Sequence, residues 1–213
     1  MGRSSQLRVI YLHGFASSPA SSKAQFFSRK FQEAGYDVSV PALDGGDFRN
    51  LTITSQLDIL EREARGQRVI LMGSSLGGYL TAVFAARHAA QVVRAVMMAP
   101  AFCFASRWSE ELPAMAEWKR TGVMKLFHYG QRRTREIGYN LIADALEYDD
   151  YPVVTQPTLV LHGSLDTVVP VALSEEFVKR QSATARLCVY PKSGHELTDV
   201  VNEMWTEISS FLK

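Results

Sequence analysis

The sequence predicts an α/β fold: about six mostly parallel strands, helices on both faces of the sheet, and a helical lid inserted in the second half of the chain. Three observations predict it. Short apolar runs rich in β-branched residues alternate with helical patterns along the whole chain, as a parallel sheet with helical crossovers requires. The pentamer Gly73-Ser74-Ser75-Leu76-Gly77 stands between one apolar run and one apolar helical stretch, so it reads as a sharp strand-to-helix turn. After Pro100 the chain continues to Thr158 before the next strand pattern, far beyond the roughly 4–6 residues of an ordinary connection.

Strand patterns lie at Leu7–Leu12, Asp37–Val40, Val69–Met72, Val93–Met98, Thr158–His162 and Arg186–Val189. Helical patterns lie at Ser22–Ala34, Thr54–Ala64, Leu76–Arg87, Leu173–Arg180 and Thr198–Leu212. The Leu76–Arg87 stretch, LGGYLTAVFAAR, is apolar nearly all round and rich in small residues, as suits a helix pressed against a sheet. With 213 residues, 46% of them hydrophobic, the chain is long enough to bury a full core. It reads as one domain, 1–213, with 101–151 as the lid.

The pentamer carries the chemistry. A serine hydroxyl is a poor nucleophile until it is projected toward a base. Gly73, Gly77 and Gly78 leave room for the turn and for the helix that follows, so Ser75 is the candidate nucleophile. Ser74 occupies the variable position and reads as a neighbour.

Five histidines compete for the role of base. His88 follows Arg87 at a helix end and reads as solvated. His13 and His162 each precede a glycine at a strand end and read as loop supports, while His128 sits among the lid aromatics, lining a pocket or packing. His195, in the turn-rich Tyr190-Pro191-Lys192-Ser193-Gly194-His195, is the candidate base by position. Asp166, in the loop that leads to Pro170, is the candidate acid; its other reading is a turn or cap residue ahead of a helix. Asp144, Asp149 and Asp150 are fallback acids. The chain order Ser75, Asp166, His195 matches one of the known arrangements of such triads.

An acyl transfer needs two backbone donors aimed at the oxygen on which charge develops. The amide of Leu76, directly after the nucleophile, is one, and that of Phe15, after His13-Gly14 at a strand end, is the other; otherwise that segment is an ordinary glycine turn. The polar loop Ala16–Ser22 reads as a wall of the site. In the lid fall nine of the chain's 22 aromatic residues. Phe102, Trp108, Trp118, Phe127 and His128 are the expected substrate-binding residues, unless the aromatics only glue the lid to the core.

With these motifs the chain resembles the α/β-hydrolases, and its front half is similar to the small bacterial YqiA/YcfP-type esterases through YLHGFASSP, Ser22-Lys23-Ala24 and GSSLGGY. The resemblance implies the α/β-hydrolase fold and a charge-stabilised triad at Ser75, Asp166 and His195. In the lid, Gly122-Val123, Tyr139, Ile142 and Ala145 are similar to the lid of a mammalian mitochondrial acyl-glucuronide and depalmitoylating esterase, which keeps thioesters in play. The expected activity is cleavage of a small acyl ester of short to medium chain, the carboxylesterase type (EC 3.1.1), with thioesterase, peptidase or non-catalytic binding scaffold as alternatives.

A net charge of +1 argues against nucleic acid or anionic membrane as the main partner. Arg132, Arg133 and Arg135 form a basic cluster, read as a solvated face or as a binder of a substrate carboxylate or phosphate. Met1–Gln6 has no apolar stretch of signal length and places Gln6 where myristoylation prefers Ser or Thr. No run approaches the roughly 18 apolar residues of a span, so the expected address is cytoplasmic. Cys103 and Cys188 read as free thiols without metal-ligand spacing; no metal and no cofactor is expected, and a homodimer is left open.

Overall fold

The computed structural model describes residues 7–213, and Met1–Gln6, read above for targeting signals, lies outside the described residues. In chain order the elements are β1 (Arg8–Leu12), α1 (Ser22–Glu33), β2 (Asp37–Ser39), α2 (Ile53–Ala64), β3 (Val69–Ser74), α3 (Leu76–Arg87) and β4 (Val92–Met98). The insertion follows as α4 (Phe104–Glu111), α5 (Met115–Thr121), β5 (Val123–His128), β6 (Arg133–Gly138) and α6 (Asn140–Ala145). The chain then closes with β7 (Thr158–Gly163), α7 (Val171–Arg180), β8 (Ala185–Tyr190) and α8 (Val201–Phe211).

Six strands form one sheet in the order β2-β1-β3-β4-β7-β8, every neighbouring pair parallel. Both faces are covered, which is why β3 and β7 are buried at every position. Alternation along each strand divides the core. Ile10, Leu12, Val69 and Leu71 pack with Leu57 and Leu60 of α2, Leu80 and Phe84 of α3 and Phe177 of α7. Val9, Tyr11, Ile70 and Met72 pack with Phe27 and Phe31 of α1 and Met204 and Ile208 of α8.

The close fit of α3 is a steric requirement. A Cβ on Gly73 would fall on the carbonyl of Gly77, and a Cβ on Gly77 would fall on the carbonyl of Leu12. These are backbone atoms, which cannot swing aside as a flexible side chain does.

The insertion departs from the expected helical lid. Between α5 and α6, β5 and β6 form an antiparallel hairpin, in register from Val123–Gly138 to His128–Arg133. Each strand buries only part of its surface; β6 is mostly polar, and Lys125 interrupts the apolar residues of β5, so no continuous apolar run marks the pair. No described helix is long and apolar enough to cross a membrane.

Gly77→Ala should cost at least about 1–3 kcal/mol through overpacking, lowering the melting temperature by several degrees. Differential scanning calorimetry checks this; an unchanged transition would mean that α3 tolerates a wider crossing.

Candidate active site

Ser75 joins β3 to α3 with φ 54° and ψ −118°, a conformation that L-residues seldom adopt. Its backbone is held on both sides. The Ser75 amide donates to the Met98 carbonyl at 2.9 Å, and its carbonyl accepts from the amides of Gly78 at 2.9 Å, Tyr79 at 3.1 Å and Ala101 at 3.0 Å. The side chain projects toward the loops beyond the carboxyl ends of the strands, where His195 Nε2 lies 3.0 Å from Ser75 Oγ.

His195 Nδ1 lies 2.7 Å from Asp166 Oδ2. A carboxylate only accepts, so Nδ1 carries the hydrogen and Nε2 is left to accept from the serine hydroxyl. Asp166 Oδ1 accepts from the amides of Val168 and Val169, both at 2.8 Å. Oδ2 also receives His162 Nε2 at 3.1 Å. That nitrogen faces a second acceptor, the Val169 carbonyl at 2.9 Å, so it too carries a hydrogen, and His162 Nδ1 accepts from the Ser174 hydroxyl at 2.8 Å. Burial by itself raises the pKa of the Asp166 carboxyl, but hydrogen bonds from His162, His195 and the Val169 amide outweigh it and hold the group well below the usual carboxylate range.

Phe15 and Leu76 line the same cavity as Ser75, and among the described residues neither amide has a protein acceptor. The turn that presents Phe15 is braced by His13, whose Nδ1 donates to the Gly14 carbonyl at 3.0 Å while Nε2 accepts from the Leu43 amide at 3.4 Å. Burial draws the pKa of His13 down, in keeping with a ring that both donates and accepts.

The cavity has a volume of about 760 Å³. Of the expected substrate-binding residues, Phe102 and Trp108 line it, with Phe104 beside them. Trp118, Phe127 and His128 do not, and each has another task. Trp118 is buried within the insertion with Nε1 donating to the Ile137 carbonyl at 3.1 Å. Phe127 is 49% exposed on the hairpin, edge-on to Tyr129. His128 packs against Phe48, its ring centroid 4.6 Å away, and accepts the Gln131 amide at the hairpin turn.

Two of the three fallback acids have carboxylates engaged elsewhere. The Asp144 carboxylate accepts from the amide and hydroxyl of Thr54 at the start of α2 and that of Asp150 accepts the Ser106 hydroxyl, while Asp149 is held through its main-chain carbonyl, which accepts the Tyr79 hydroxyl; the carboxylate that meets His195 is that of Asp166. Of the basic cluster Arg132 reaches the cavity, whereas Arg135 bonds Gln131 and lies over Phe48. Sequence reasoning did not single out Lys23, Arg107 and Glu196 as lining residues; the lysine in Ser22-Lys23-Ala24 and the glutamate beside His195 were the available signals.

Comparison of the sequence with protein families gives a match to "Uncharacterised protein family (UPF0227)" over residues 8–213. The chain belongs to this family. No curated protein matches the sequence of this UPF0227 member. Among solved structures it is similar to mouse alpha/beta hydrolase domain-containing protein 10 (TM-score 0.81, 20% identity, 100% of this chain and 96% of the other). It is also similar to Est1E from Butyrivibrio proteoclasticus (0.80, 17%, 97% and 87%) and to the monoacylglycerol lipase of Paleococcus ferrophilus (0.76, 15%, 96% and 93%). The UPF0227 chain has the α/β-hydrolase fold.

Because the folded pKa of Asp166 lies below its unfolded value of about 3.9, its ionisation contributes stability that is full above that value and is lost as the pH falls through and below it. The stability gap between wild type and Asp166→Asn should therefore be largest near neutral pH and shrink between pH of about 5 and 2. Urea unfolding at stepped pH reads this, and a gap independent of pH would contradict it.

Proposed function

We propose that this protein is a carboxylesterase-type serine hydrolase (EC 3.1.1) acting on esters of short to medium acyl chain through an acyl-enzyme. The observation that carries this reading is the continuous contact Ser75 Oγ–His195 Nε2–Asp166 Oδ2, at 3.0 and 2.7 Å, opening on a cavity lined by Phe15, Leu76, Phe102 and Trp108.

His195 Nε2 takes the hydroxyl proton as Ser75 Oγ bonds to the ester carbon. Asp166 orients the imidazole and stabilises its charged form. The carbonyl electron pair moves onto oxygen, where the amides of Phe15 and Leu76 receive it. As the carbon–oxygen bond to the alcohol breaks, His195 returns its proton to the leaving oxygen. A water then gives a proton to His195 while its oxygen attacks the acyl carbon, and Ser75 leaves with that proton.

The cavity supports a compact substrate. Its volume suits a molecule of drug size or smaller, and the aromatic walls suit an apolar acyl or alcohol group. Thioesters react through the same steps, so matched oxygen and sulfur esters separate the two activities.

Ser75→Ala and His195→Ala should each lower kcat on p-nitrophenyl esters on the order of a millionfold, and Asp166→Asn on the order of ten-thousandfold. Wild type should react with a fluorophosphonate at Ser75, seen by mass spectrometry of the labelled peptide. An unlabelled Ser75 with no ester or thioester turnover would return the chain to the binding-scaffold reading.

A further inference from the structure

Lys23 is a buried cation that the proposed reaction does not use. It is the second residue of α1, is 9% exposed, and lines the cavity that contains Ser75. Its ammonium makes no hydrogen bond among the described residues; its ion-pair contact is with Glu196 Oε2, at 3.8 Å, whose side chain is 75% exposed. A buried ammonium is costly without hydrogen-bonded or charged partners, so this group is short of acceptors.

The end of α1 has the same deficit. Its N-cap residue Ser21 makes no side-chain cap bond and no acidic residue lies in the first turn. Among the described residues the amides of Ser22, Lys23 and Ala24 have no acceptor, and Ser21 and Ser22 line the cavity with Lys23. A helix N-terminus favours negative charge. Arg132 adds a positive charge at the cavity wall, whereas the guanidinium of Arg107 is taken by Glu111.

We propose that Lys23 and the first turn of α1 form a subsite for an anionic group, a carboxylate or a phosphate, carried by the ester that Ser75 cleaves. The proposal rests on the hydrolase reading and narrows its substrate class from esters of short to medium acyl chain to anionic ones. A bound anion supplies the missing acceptor, and Glu196, loosely paired and exposed, gives way to it. Burial draws the Lys23 pKa down, with Glu196 and Asp166 opposing; an anion in the subsite adds to that opposition and keeps the ammonium charged.

The test compares p-nitrophenyl butyrate with mono-p-nitrophenyl glutarate, a pair that differs mainly by a terminal carboxylate. Wild type should favour the anionic ester in kcat/KM by about tenfold or more, the scale of one charged hydrogen bond. Lys23→Met should bring that ratio close to one, mainly through KM, and Lys23→Arg should keep part of it. Glutarate and inorganic phosphate should inhibit wild type competitively and Lys23→Met much more weakly, the stronger inhibitor identifying which anion the subsite takes. Equal kcat/KM for the two esters in wild type, or a ratio unmoved by Lys23→Met, overturns the proposal while fluorophosphonate labelling of Ser75 leaves the hydrolase reading standing. Calorimetric binding of glutarate or phosphate to Ser75→Ala, abolished by adding Lys23→Met, supports the subsite even if the hydrolase reading fails.

Discussion

The close crossing of α3 over the ends of β1 and β3 is the constraint on which the rest of the site depends. With no side chain on Gly73 or Gly77, the backbone of α3 meets the carbonyls of its own turn and of Leu12. That proximity leaves the connecting residue no ordinary conformation, and Ser75 takes a positive φ. Such strain costs on the order of 1–3 kcal/mol and persists only where surrounding bonds overdetermine it. Here the Met98 carbonyl fixes the amide of Ser75, and the amides of Gly78, Tyr79 and Ala101 fix its carbonyl. One residue thus ties together β4, α3 and the first residues of the insertion, and the hydroxyl it carries has little freedom except rotation.

The second fixed point is Asp166. Two amides saturate one of its oxygens, and two imidazoles share the other. His162 is itself pinned by the Val169 carbonyl and the Ser174 hydroxyl, so the carboxylate cannot turn away from His195 without leaving several buried groups unpaired. The direction of the His195 ring follows, and with it the aim of Nε2 at Ser75. Positioning here comes from donors converging on one carboxylate, a stronger restraint than packing alone, because unmade bonds to a buried charge are expensive.

How much of this was legible in the sequence varied with the range of the interactions. The six sheet strands and the helices between them emerge close to their expected bounds because parallel strands buried on both faces leave continuous apolar runs, as in Val69–Met72 and Thr158–His162. The Ser75 turn was legible for a related reason: its glycines and flanking periods are local. The β5–β6 hairpin was not, since its strands mix Lys125, Arg133, Thr134 and Glu136 with apolar residues and are defined by pairing with each other. Trp108 and Trp118 show the same limit among lining residues. Both are lid tryptophans ten positions apart, yet one meets Phe15 at the cavity and the other spends its indole N–H on Ile137. Burial against a distant element decides between them, and no local pattern encodes it.

That hairpin also touches the loop that follows Phe15. At its tip the Gly130 amide donates to the Ala16 carbonyl at 3.2 Å, and a Cβ on Gly130 would lie 2.6 Å from the Cβ of Ser18. The insertion therefore rests at backbone distance on the loop that carries the Phe15 amide at one end and Lys23 at the other. Displacing the hairpin tip would break the bond to Ala16, the neighbour of Phe15. On the proposed reading, in which the Phe15 amide receives the oxyanion, a shift of Phe15 by even about 1 Å would weaken that donor severely. In that reading the seating of the insertion and the aim of the donor are coupled through one shared backbone contact.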